Sequence, residues 1–170
     1  GNLQKLSKAP LDDKFQITKS QAIQSVSENI GDTMKEFNHF SQDGLGTVAY
    51  KASKYVNRLA DAIAIGVGEP KGEGAAKKMV IPDNINITLN GKSYPLKDIV
   101  ADMTTSNTAL LDIRGEKVGK DWSDTKRGTE AEKMFAATTK SEPFKAVTNP
   151  EQYRQLLLDI TAQVNVLLRK

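Results

Sequence analysis

The chain has no cysteine, one histidine and one tryptophan among its 170 residues, and each scarcity removes some chemistry. Without a thiol there is no disulfide, no thiolate nucleophile and no zinc–thiolate site. This suits an exported protein and a cytosolic one equally. With His39 alone, a catalytic triad would have to recruit a ring from a helix, between Phe37 and Phe40, with no nucleophile elbow anywhere to partner it. His39 is expected to face solvent. No apolar run approaches the ~20 residues that span a bilayer. The first residue is Gly1 rather than Met, which leaves room for an upstream signal peptide, lipid anchor or membrane helix.

Charge of one sign is scarce as well. The formal net charge is +3, and no block of roughly five or six like charges occurs. Dedicated nucleic-acid binders concentrate positive charge on a face or in a tail.

What is present is helical periodicity. Residues 1–17 show none and are expected to form an N-terminal arm, docked by Phe15 and Ile17. Residues 18–170 are expected to form a single α-rich domain. Thr18 and Gln21 offer a capping box, after which Ile23, Val26, Ile30, Met34, Phe37 and Phe40 recur at three- and four-residue steps. Gly31 weakens that helix. A second helix carries Val48, Ala52, Tyr55, Leu59 and Ile63 on one face, and a short link makes the two an antiparallel hairpin. Near the C-terminus, Asn149 caps a helix whose first turn holds Pro150 and Glu151. Tyr153, Leu157, Ile160, Val164 and Leu167 form its seam. Thr129 and Glu132 suggest a capping box for a shorter helix.

Between these helices, residues 66–80 are expected to be a flexible Gly/Lys loop and 81–122 a hairpin-containing insertion. Ile85, Ile87 and Leu89 alternate with polar residues, and Asn90-Gly91 is a strong hairpin turn. Pro95 is expected to open a short helix reaching Met103. Residues 104–122 read equally as strand or helix. The fold class expected is mainly α: a bundle-like domain of three long and one or two short helices with a small β-hairpin insertion.

Motifs for chemistry are few. Gly66, Gly68, Gly72 and Gly74 invite a phosphate cradle, but the dinucleotide spacing is one residue too long, Pro70 interrupts it and no Gly-Lys-Ser/Thr follows. A helix terminus at Gly66 or Gly68 followed by a loop is the favoured reading. Asp98 and Asp102 stand one helical turn apart, and with Asp112 they would hold Mg²⁺ or Mn²⁺ in a metal-dependent enzyme. A solvated polar face is the plainer reading. Lys51, Lys54 and Arg58 form a basic stripe, extendable through Lys71, Lys77 and Lys78, that would meet nucleic acid or anionic lipid. No aromatic platform is evident beside it. Asn86-Ile87-Thr88 matches the glycosylation pattern. Trp122 is expected at the edge of the core, or as an anchor at a partner surface.

The function expected is a non-enzymatic protein-interaction or structural module with no cofactor and another protein as partner. Its expected setting is the bacterial periplasm or envelope, or a secretion system. The partner surface is expected at Trp122, at the hairpin tip Asn90, Gly91 and Lys92, and along 66–78.

Overall fold

A computed structural model describes residues 17–40, 42–72 and 78–170. The expected arm, Ile17 apart, lies outside them. Among the described residues the chain is mainly α-helical. The helices are α1 (Lys19–His39), α2 (Leu45–Val67), α3 (Leu96–Arg114), α4 (Asp124–Thr138), α5 (Glu142–Lys145) and α6 (Pro150–Leu168). The strands are β1 (Glu69–Lys71), β2 (Lys78–Val80), β3 (Asn86–Leu89) and β4 (Lys92–Pro95).

Capping chemistry sets several boundaries. Thr18 Oγ1 accepts the Gln21 N–H at 3.0 Å and Gln21 Oε1 accepts the Thr18 N–H at 2.8 Å, which completes the capping box of α1. Asn149 Oδ1 accepts the Gln152 N–H at 2.9 Å at the start of α6. Gly68 ends α2. The cap of α4 is Ser123, not Thr129: Ser123 Oγ accepts the Lys126 N–H at 3.1 Å, so the helix starts earlier. Thr129 lies inside α4, its hydroxyl donating to the Thr125 carbonyl.

α2 is the central helix and packs on α1, α3, α4 and α6. Its Val48, Ala52, Val56, Leu59 and Ile63 are wholly buried. The approach of α4 to α2 depends on two glycines. A Cβ on Gly46 would stand 1.8 Å from the Gly128 carbonyl oxygen, and one on Gly128 would stand 2.4 Å from Thr47 Oγ1. The backbones touch where side chains would otherwise separate them.

Residues 96–114 form one long helix of the bundle, not a short helix followed by an undecided segment. Pro95 is the residue before α3, and Leu96, Ile99, Met103, Leu110 and Ile113 are fully buried. Burial against α2 and α4 decides a pattern that was ambiguous in isolation. Residues 81–122 therefore contribute a core helix as well as the expected hairpin. In 66–80, α2 continues to Val67 and β1 pairs antiparallel with β2, Glu69 opposite Val80. The described part of that stretch is a helix end and a ribbon, not a loop; 73–77 fall outside the described residues.

An aromatic cluster joins α1, α4, α5 and α6. Phe37, Phe135 and Phe144 surround Tyr153 with ring centroids 5.3, 5.0 and 6.4 Å away. The Tyr153 hydroxyl accepts from Asn107 Nδ2 at 3.3 Å. Burial pushes its pKa from 10.0 up to about 12, opposed by the Asn107 hydrogen bond. Below pH 10.0 both folded and unfolded chains keep this proton. As pH rises toward about 12 the unfolded chain ionises first, which draws the equilibrium toward unfolding. Alkaline titration of stability should therefore show a loss of about 2 kcal/mol from this group over that window. Tyr153→Phe should lack that component, which paired denaturant melts at pH 8 and pH 11 would reveal.

The β3–β4 hairpin forms as expected, with Ile87 opposite Tyr94 and a turn in which Asn90 (φ 54°) and Gly91 (φ 80°) take left-handed angles. The outer edge of β3 is paired by a side chain. Thr88 N–H donates to Gln163 Oε1 at 2.7 Å, and Gln163 Nε2 donates back to the Thr88 carbonyl. The amide of α6 thus stands in for a missing strand. Gln163→Ala should cost about 1 kcal/mol and speed hydrogen exchange at the Thr88 amide. Unchanged exchange there would show that the pairing contributes nothing.

Candidate functional site

The three aspartates considered for a metal are not brought together as a site. Asp102 is 4% exposed, and its carboxylate faces the start of α5. It accepts the Lys140 N–H at 3.0 Å, the Ser141 N–H at 2.8 Å and the Ser141 hydroxyl. Its lone pairs satisfy donors that would otherwise be orphaned at that turn. Asp98 is exposed and Asp112 half-buried. The backbone carbonyl of Asp112 accepts from Lys117 and Val118, which turns the chain after α3. Among the described residues, no group of three or more metal-capable side chains gathers in one place.

His39 is exposed and lies edge-on to Phe40, ring centroids 4.6 Å apart. The Asn86 side chain is exposed and donates to the Asn84 carbonyl. Gly66 and Gly68 sit at the end of α2, with Leu168 packed near Gly66. They belong to a helix terminus, and the β1–β2 ribbon rather than a loop follows it.

Trp122 is half-buried against its own loop. A Cβ on Gly119 (φ 69°) would meet the indole at 1.9 Å, and the Lys126 ammonium stands 5.0 Å from the ring centre. Arg127 holds this loop from beneath. Its guanidinium pairs with Glu116 at 3.0 Å and donates to the Lys120 carbonyl at 3.2 Å. Trp122 is therefore engaged by its own loop and the first turn of α4.

The hairpin tip borders a cleft of about 300 Å³ shared with α5 and α6. Leu89, Pro143, Val147 and Leu156 supply apolar wall, while Gln155 and Asp159 are exposed polar groups on α6. The cleft is braced twice, by the Thr88–Gln163 pairing and by the Lys92–Glu142 ion pair at 3.2 Å. Of its residues, sequence reasoning identified Asn90 and neighbouring Gly91 and Lys92. It missed Gln155 and Asp159, because these are ordinary polar positions of a surface helix until the hairpin lies along α6.

The basic stripe stays on one flank of α2. Lys51 and Lys54 are half-buried and Arg58 is exposed. Lys51 Nζ stands 4.7 Å from the Phe40 ring centre and Lys54 Nζ 6.0 Å from that of Tyr55.

No protein-family model, curated protein or solved structure matches this chain.

Proposed function

We propose that the protein is a non-enzymatic interaction module whose partner is another protein, bound at the cleft between the hairpin tip and the α5–α6 corner. The observation that carries this reading is the cleft itself, an apolar floor with an exposed amide and carboxylate at its rim, held by braces from two sides. Such a surface fits a partner segment that inserts one apolar side chain and presents a basic group to Asp159. Two buried charged groups support the same reading, because the Asp102 carboxylate and the terminal nitrogens of Arg127 are engaged in holding a turn and a loop. A bacterial envelope or secretion-associated setting belongs to the proposal and is tested by fractionating the source cell.

The binding test compares proteins retained from that cell by the wild type, a Gln155→Arg, Asp159→Lys variant and a Lys133→Glu control. Lys133 is exposed on α4, away from the cleft. One defined protein retained by wild type and control but lost by the double variant supports the cleft. Identical retention on all three, or turnover of a substrate lost with the same variant, rejects the proposal.

A further inference from the structure

The fold adds a fourth cation to the basic stripe. Arg114, at the end of α3, reaches across to α2, and its Nε donates to the Lys51 carbonyl oxygen at 3.2 Å. Its guanidinium is thereby placed on α2 at Lys51. Among the described residues, none of Lys51, Lys54, Arg58 and Arg114 is paired with a carboxylate. Asp61 and Asp112, nearby in sequence, form no such pair. Lys51, Lys54 and Arg58 each stand about one helical turn from the next, where like charges repel, and a bound polyanion relieves that repulsion while releasing its own counterions.

We propose that this flank binds the phosphate backbone of a single-stranded nucleic acid. From Lys51 to Arg58 the helix rises about 10 Å, enough to meet on the order of two or three consecutive phosphates, with Arg114 adding another. Phe40 already has Lys51 and His39 against its ring, and the half-buried Tyr55 beside Lys54 is the ring that an unstacked base would contact. An acidic peptide has nothing to stack there. A membrane surface fits less well, because α2 buries its apolar face in the core and, among the described residues, the exposed large apolar side chains Ile17, Val118 and Val166 lie outside α2.

The test is fluorescence anisotropy of a labelled oligothymidylate with the purified chain, at several salt concentrations. The logarithm of affinity should fall against the logarithm of salt with a slope of about −2 to −3, as for three or four phosphates on a single strand. Lys51→Glu combined with Arg114→Glu should weaken binding at least about tenfold, with unchanged circular dichroism at the temperature of the binding assay. Lys51→Arg should retain binding. The cleft variant Gln155→Arg, Asp159→Lys should bind as wild type does, which separates this inference from the proposed protein partner. No binding at low salt overturns the proposal, as does unchanged binding by the charge-reversed variant. Equal binding to polyglutamate, or binding confined to phosphatidylserine vesicles, overturns it in favour of a different partner.

Discussion

Asp102→Ala should destabilise the protein by about 4 kcal/mol, from the loss of hydrogen bonds to a charged acceptor and the orphaning of their donors. For a chain of this size that lowers the melting temperature by roughly 8–16 °C. The cause is local. The carboxylate accepts two backbone N–H groups, from Lys140 and Ser141, and the Ser141 hydroxyl, where α5 begins. Removing it leaves donors with no partner beside the buried Pro143 and Phe144. Asp102→Asn should cost about half as much, since one oxygen still accepts while the new NH₂ faces a donor. The same experiment separates the structural role from a metal role. Mg²⁺ or Mn²⁺ should raise the melting temperature of neither wild type nor variant. Metal-dependent stabilisation that disappears with Asp102→Ala would revive the three-aspartate reading.

Gly46→Val should cost at least about 3 kcal/mol, at or beyond the upper end for overpacking of a tight contact. The neighbour that a Cβ meets at 1.8 Å is the backbone carbonyl of Gly128. A flexible side chain can turn away; a carbonyl inside α4 moves only with its helix. Separation of α4 from α2 would also loosen the contact around Phe135 and Tyr153. Gly31→Ala is the matched control. Nothing lies within 4 Å of a Cβ there, and the residue is exposed within α1. That substitution should stabilise by up to about 1 kcal/mol through helix propensity. Opposite signs at these two helical glycines, read from urea melts, would establish the close crossing. A loss at Gly31 or indifference at Gly46 would contradict it.

Local signals carried much of the fold. The Thr18–Gln21 box, the Asn149 cap and the Asn90-Gly91 turn each depend on residues a few positions apart, so they were legible in the sequence. Residues 104–114 were not, because their apolar spacing suits strand or helix until α2 and α4 cover them. The ribbon of β1 with β2 was hidden behind glycines that look like loop. At the candidate surface, the tip residues Asn90, Gly91 and Lys92 could be read from the turn. Gln163 on β3, Asp102 at Ser141 and Arg114 at Lys51 join positions far apart in sequence. No short motif announces such pairings. Asp102 shows the hazard most clearly: its spacing from Asp98 resembles a ligand pair, while its carboxylate is occupied by the chain.

The most direct test of the interaction-module account is site-specific photo-crosslinking in the source cell, with the reactive group placed at Gln155 and, separately, at Lys133. The account predicts one defined protein adduct from position 155 and none of that mass from position 133. No adduct at 155, or the same adducts from both positions, would contradict it.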